Sequence, residues 1–241
     1  MKKTIGILGG MGPEATAYFF ELIIKNTQAK KDQDHIPLII YSNPRVPPRT
    51  DAILKRGPSP LSALLRGTKI LRQAGADFIV MPCLTAHFYY PQIKAREKIP
   101  FLSLVEETLR YAQKKYPDLR KAGLIASTGT LESRLFHKTF AKKGIDIICP
   151  GRQEQKQVME AIFGKEGIKA GQTSGHPKRL ILEVAQKLVA RGAQAIIAGC
   201  TEVPLVLKEE DLPVPFLEPM KITALACIRK AGYKVRKREK K

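Results

Sequence analysis

Leu71-Arg72-Gln73-Ala74-Gly75-Ala76-Asp77-Phe78-Ile79-Val80-Met81-Pro82-Cys83 returns 117 residues later as Leu188-Val189-Ala190-Arg191-Gly192-Ala193-Gln194-Ala195-Ile196-Ile197-Ala198-Gly199-Cys200. Leu, Gly, Ala, Ile and Cys are identical at matched places, and a threonine lies one or two residues beyond each cysteine. The same offset relates Gly6-Ile7-Leu8 to Gly123-Leu124-Ile125, and Gly12 to Gly129. A shared offset at two places implies a duplicated half, in which an apolar strand ends at a cysteine. Two like thiols on two like halves suit chemistry that approaches one atom from opposite faces.

Working outward, apolar runs of strand length alternate with helix-length segments. Strands are predicted at 4–8, 38–41, 78–81, 101–102, 123–126, 146–148, 195–198 and 216–217. Helices are predicted over 14–28, behind Pro13, a favoured first helical residue, and over 61–73 and 178–190, which stop at Gly75 and Gly192. A further helix is predicted over 131–142. Near-continuous apolar strands alternating with helices mean parallel sheets covered on both faces. The fold class is therefore α/β: two similar lobes, each a parallel sheet flanked by helices, related by a pseudo-twofold, with a cleft between them. Pro100 and Pro213 mark the expected crossovers. They give a first lobe of residues 1–99 plus 213–241 and a second of 100–212. The proline-rich stretch 42–60 and the glycine-rich stretch 164–177 read as loops.

Composition narrows the function. The chain has 241 residues, 44% of them hydrophobic, enough to bury a substantial core. No run reaches the roughly 18–20 apolar residues of a membrane span. The apolar start at 4–8 is broken by Gly9-Gly10-Met11-Gly12-Pro13 too early for a signal peptide, so a cytoplasmic protein is expected. The four cysteines are expected to be reduced. The four histidines (His35, His87, His137, His176) are scattered and no CxxC pair exists, so no metal site is expected. The formal charge is +20; the tail from Lys234 holds six basic residues and one acid, leaving +15 for the rest. No nucleic-acid-binding motif accompanies that charge, which reads as a solvated surface that steers small anions.

In open parallel sheets ligands bind beyond the carboxyl ends of the strands. Gly9–Gly12, Cys83–Thr85, Ser127–Thr130 and Cys200–Glu202 all fall there. The first loop does not fit GxGxxG, because Pro13 interrupts it; its N–H groups suit a carboxylate or phosphate instead. Ser127-Thr128-Gly129-Thr130 reads as a carboxylate nest of hydroxyls and N–H groups, or simply as a helix cap. Cys149 and Cys227 read as packing residues; the matched context sets Cys83 and Cys200 apart.

Three motifs in this order, Gly9-Gly10-Met11-Gly12-Pro13-Glu14-Ala15-Thr16, Met81-Pro82-Cys83-Leu84-Thr85-Ala86-His87 and Gly199-Cys200-Thr201-Glu202-Val203-Pro204, resemble the aspartate/glutamate racemase family, and most of all its aspartate racemase branch. The resemblance spans the whole chain. It implies an isomerase that inverts Cα of an acidic amino acid, aspartate or glutamate, with neither pyridoxal phosphate nor metal, and a homodimer. Carried over by position, Cys83 and Cys200 are the two catalytic bases, with Cys200 facing the L-enantiomer and Cys83 the D-enantiomer. Arg49 binds a substrate carboxylate and Lys169 lies near the side-chain carboxylate. Met11, Gly12, Leu84, Thr85, Thr128, Thr130 and Thr201 line the substrate, and His87 and Glu202 orient or tune the cysteines.

Two departures stand out. Leu84 occupies the place where the family usually has Asn beside the first cysteine, and Pro48 the place of an Asp before the loop arginine. Each removes a polar group from the site. They leave open a larger or less polar substrate. They also leave open decarboxylation or cis–trans isomerisation of a dicarboxylic acid on the same scaffold, or a relict carboxylate-binding protein.

Overall fold

The computed structural model describes residues 2–237. Its first sheet contains β1 (Ile5–Gly9), β2 (Leu38–Ser42), β3 (Phe78–Val80) and β4 (Phe101–Leu102), all parallel, in the order β2-β1-β3-β4. The second contains β5 (Lys121–Ile125), β6 (Asp146–Ile148), β7 (Ile196–Ala198) and β8 (Phe216–Leu217), again parallel, in the order β6-β5-β7-β8. The two orders are the same topology used twice. The central strands β1 and β3 are wholly buried, as are β7 and all of β5 but Lys121, which explains their unbroken apolar character.

Helices fill the connections: α1 (Pro13–Asn26), α2 (Arg49–Ile53), α3 (Leu61–Gln73), α4 (Tyr90–Arg96), α5 (Leu104–Lys115), α6 (Thr128–Glu132), α7 (Leu135–Ala141), α8 (Arg152–Phe163), α9 (His176–Ala190), α10 (Val203–Val206) and α11 (Pro219–Lys230). The duplicated stretch has a local cause. After α3, Gly75 turns left-handed at φ 94°, its N–H reaches the Arg72 carbonyl, and the Ala76 N–H reaches the Leu71 carbonyl. After α9, Gly192 at φ 90° does the same with Val189, and Ala193 with Leu188. These are paired Schellman turns, which need glycine at the left-handed residue and an apolar contact across the turn. Leu71 packs with Ala76 in one core cluster and Leu188 with Ala193 in another. Each turn also closes on a glycine of the central strand. A Cβ on Gly6 would lie 2.9 Å from Ala76 Cβ, and one on Gly123 3.1 Å from Leu188 Cβ.

Four expectations are corrected. The strand after Pro100, expected to open the second lobe, is β4 and pairs with β3 in the first sheet. The strand after Pro213, expected to return to the first lobe, is β8 and pairs with β7 in the second. Each crossover therefore comes one strand later, at α5 and α11. The stretch 42–60 is not all loop, because the chain past Pro48 folds into α2. The helix expected over 131–142 is two helices, broken where Arg134 takes a left-handed φ of 51°.

The two linking helices join the lobes. α5 packs on α7 and α11, and α11 also packs on α1. One core cluster runs through Phe19 and Phe78 of the first lobe, Leu104, Leu109, Met220 and Ile228 of the linkers, and Leu124 and Phe136 of the second. Past α11 the chain is not free. Thr27 and Val235 form an antiparallel bridge, the Gln28 N–H donates to the Lys234 carbonyl and the Arg236 N–H to the Asn26 carbonyl. In the basic tail, Lys234 and Arg236 are exposed, as the surface reading of the charge implied, while their backbone is tied to the end of α1 and Val235 is half-buried. Residues 238–241 of that tail lie outside the described residues.

Candidate active site

The turns that follow β3 and β7 carry Cys83 and Cys200, and both thiols line a single cavity of about 340 Å³ between the lobes. Met11, Arg49, Leu84, Thr85, Lys169, Thr201 and Glu202 line it too. All four cysteines of the chain are free thiols.

Cys200 is 8% exposed and donates its S–H to Glu202 Oε2 at 2.9 Å. The Thr201 hydroxyl donates to the same oxygen at 3.0 Å, and the Lys169 ammonium pairs with Oε1. Burial pushes the Cys200 thiol well above the ordinary thiol range, and the charge and hydrogen bond of Glu202 add to that; Lys169 opposes. Cys200 is therefore a thiol at neutral pH. Burial lowers Lys169, but the carboxylate of Glu202 outweighs it and the ammonium is held above its usual value. Lys169 also stands within electrostatic reach of both sulfurs.

Cys83 is held differently. Behind it, His87 is 1% exposed; its Nδ1 lies 2.8 Å from the Cys83 carbonyl, and its Nε2 accepts from the Leu104 N–H at 3.1 Å. An imidazole nitrogen that accepts from a backbone N–H is unprotonated, so the proton is on Nδ1, which donates to Cys83. Burial pulls His87 down to about 4, against that hydrogen bond, and keeps it neutral. His87 thus clamps the backbone of the Cys83 turn to the start of α5 and does not reach the cavity.

The lobes meet across hydroxyls. Thr85 Oγ1 lies 3.1 Å from Ser127 Oγ and 2.8 Å from Thr130 Oγ1, and the last two are 3.2 Å apart. Ser127 lines the cavity, whereas Thr130 is buried beneath it and acts only through its neighbours. On the other side α2 packs on α6 so closely that a Cβ on Gly129 would stand 2.8 Å from Thr50 Cα. Packing of α2 on α6 fixes Arg49, whose guanidinium donates to the carbonyls of Val46, Pro47 and Met11 at 3.0–3.3 Å. Arg49 Nε is buried and has no partner among the described residues, a donor that a substrate carboxylate would satisfy.

Besides Thr130, two more of the expected substrate contacts lie off the cavity wall. Thr128 begins α6 with its hydroxyl turned to α8, where Gln155 Nε2 donates to it at 3.2 Å, and it borders a different cavity. Gly12 stands at the edge, where a Cβ would be 3.4 Å from Lys169 Nζ. Pro48 lines the cavity, as its place beside the loop arginine implied, and Thr50, Asp51, Met159 and Phe163 line it without being anticipated. Met159 and Phe163 lie four residues apart on α8, one face of a helix. That spacing is also the commonplace signature of core packing, so the sequence carried no distinguishing signal. No cluster of three or more His, Cys, Asp or Glu suited to a metal ion occurs among the described residues. None of the described helices is long and apolar enough to cross a membrane.

Known proteins resemble this chain in sequence and in fold. A sequence model of the Asp/Glu/Hydantoin racemase family matches residues 8–227. The broad specificity amino-acid racemase RacX of Bacillus subtilis is 30% identical over 233 residues, 94% of this chain and 95% of that protein. The structure of Picrophilus torridus aspartate racemase superposes with a TM-score of 0.84 at 28% identity, covering 97% of this chain and 96% of the other. Glutamate racemase from Francisella tularensis shares the fold, with a TM-score of 0.69 at 16% identity over 96% of this chain and 82% of that one. Matched over nearly its whole length in sequence and in fold, the chain belongs to the Asp/Glu/hydantoin racemase family and is an amino-acid racemase.

Proposed function

We propose that this racemase inverts Cα of an amino acid by a two-base mechanism, with Cys83 and Cys200 on opposite faces of the substrate. The observation that carries this is the pair of thiols on duplicated turns, one from each lobe, lining one cavity. In the form with the proton on Cys200, Cys83 as thiolate removes the Cα proton and Cys200 delivers its own to the other face. One proton leaves carbon and one arrives, and the enzyme emerges with the proton on Cys83, ready for the opposite enantiomer. The hydrogen bond to Glu202 favours the first form, which by the resemblance accepts the D-enantiomer. The hard step is a carbanion beside a carboxylate. The hydroxyls of Thr85 and Ser127 on the cavity wall are available to the developing charge, whereas that of Thr201 already donates to Glu202. The chemistry is complete in these side chains, with no pyridoxal phosphate or metal.

For the substrate we propose an acidic amino acid, aspartate or glutamate, one carboxylate of which takes the unpartnered Arg49 Nε. A second reading, a larger or less polar side chain, is favoured by Leu84, 2% exposed and on the cavity wall, and by the broad specificity named for the Bacillus relative. A homodimer is proposed from the resemblance alone.

Incubation in heavy water with a panel of L- and D-amino acids, after dialysis against chelator and under constant reductant, tests the reading. Deuterium at Cα and interconversion of enantiomers are expected; carbon dioxide release would mean a decarboxylase, and no exchange a binding protein. Cys83→Ala and Cys200→Ala are each expected to abolish racemisation while retaining exchange with at most one enantiomer. Full racemisation by either variant would refute the two-base mechanism.

A further inference from the structure

A second cavity, of about 540 Å³, opens beyond the carboxyl end of the edge strand β6. Its walls are the junction of α6 and α7 and the first turns of α8. Three cations line it, Arg134, Arg152 and Lys156, against one acid, Glu132. Arg134 is the left-handed residue between the two short helices. Its N–H is bonded to Leu131 and its carbonyl to Lys138, so its direction is set by the break in the helix. A non-glycine residue held in that conformation is a mark of sites where a side chain must be aimed.

The inner part of the cavity is polar. Cys149 Sγ lies 3.3 Å from His137 Nε2. Burial raises the Cys149 thiol, with Arg134 and Arg191 opposing, and burial lowers His137, so a neutral thiol faces a neutral imidazole. The thiol donates to Nε2, which leaves the proton of His137 on Nδ1. That N–H is buried and has no partner among the described residues. The cavity wall therefore carries two guanidinium groups and an ammonium, backed by a buried imidazole N–H without a partner among the described residues, a donor set for a multiply charged oxyanion. Gln155 Oε1, also buried and unpartnered, is an acceptor beside the cations, and suits a hydroxyl carried by the same molecule.

We propose that this cavity binds a small phosphate monoester and that its occupancy is felt at the catalytic site. The link is short. Met159 lines both cavities, and its sulfur accepts the Thr128 N–H at 3.3 Å. Thr128 adjoins Ser127, which bonds Thr85 across the lobes. A ligand that displaces Met159 shifts the wall on which the substrate rests.

The binding arm of the test is independent of the racemase reading. Ribose 5-phosphate and inorganic phosphate are titrated into the whole protein by calorimetry at fixed ionic strength. The comparison is between wild type, Arg134→Ala/Arg152→Ala, and Arg66→Ala/Lys69→Ala, which removes the same charge from the exposed face of α3. Saturable binding of the monoester is expected, weakened about tenfold or more in the first variant and less than twofold in the second. Inorganic phosphate is expected to bind more weakly than the ester. Equal loss in both variants means only the general charge of a +20 protein and overturns the site, as does the absence of saturation. Equal binding of the two probes, or stronger binding of citrate, overturns the monoester class. In the kinetic arm, saturating ribose 5-phosphate is expected to change the KM of the amino acid at least twofold in wild type and not in Arg134→Ala/Arg152→Ala; unchanged kinetics at saturation overturns the coupling.

Discussion

Leu84 and His87 lie three residues apart and do opposite things with polarity. Leu84 puts an apolar side chain on the cavity wall next to the first thiol. An Asn there offers a hydrogen bond to a charged group, worth roughly 1.5–3 kcal/mol. Leu84→Asn is therefore expected to raise kcat/KM for aspartate or glutamate about tenfold. Steady-state assays with both acids check this, and a neutral or harmful effect in a folded variant removes Leu84 as a determinant of specificity. His87 bears on stability. Its folded value near 4 is below the ordinary 6.5 of an unfolded histidine, so between those values the unfolded chain binds the extra proton. The stabilisation is present above pH 6.5 and is lost as pH falls towards 4, by about 3 kcal/mol in all. Urea denaturation of wild type across that window is expected to show this loss, and His87→Gln a clearly shallower one. Identical slopes would show that another group titrates there.

Among the elements, the last few described residues are the least expected. The bridge of Val235 to Thr27, with one backbone hydrogen bond on either side of it, ties residues 234–236 to the end of α1. Val235 also packs on the main core cluster. A protein ending at Tyr233 is expected to be less stable than one ending at Lys237 by roughly 1–3 kcal/mol, with kcat unchanged because no residue of the bridge lines the cavity. Thermal melts and initial rates of the two proteins check both halves of this. Equal melting temperatures would mean that the bridge contributes nothing in solution.

For the whole molecule, the shared core decides how the lobes behave. The linking helices α5 and α11 bury Leu104, Leu109, Met220 and Ile228 in one cluster with both sheets, so neither lobe has a complete core of its own. Unfolding is expected as one cooperative transition, despite the twofold repeat. Met220→Ala at the junction is expected to lower the whole transition by about 2–5 kcal/mol rather than split it. Calorimetry and fluorescence that resolve two transitions in wild type would show the lobes to be independent.

The duplicated stretch by itself determined the two parallel sheets, the helix ends at Gly75 and Gly192, and the paired cysteines, because each is a local consequence. The Leu-x3-Gly-Ala repeat encodes a turn within six residues, and an apolar run encodes a buried parallel strand. The motifs also located the wall residues Met11, Arg49, Thr85, Lys169 and Thr201 through the resemblance they carry. The tertiary structure alone decided that β4 and β8 stay with the preceding sheets, since two-residue strands have too little pattern to declare a partner and are held by edge pairing. It alone turned Thr128 away towards Gln155 and brought Met159 and Phe163 to the cavity, since a helix face reads the same whether it meets a core or a substrate. It alone reserved Cys200 as a thiol. The adjacent Glu202 is visible in the sequence, but the turn that brings its carboxylate onto the sulfur, the reach of Lys169 from the distant 168–170 turn and the burial of Cys200 and Glu202 are made by the folded lobe.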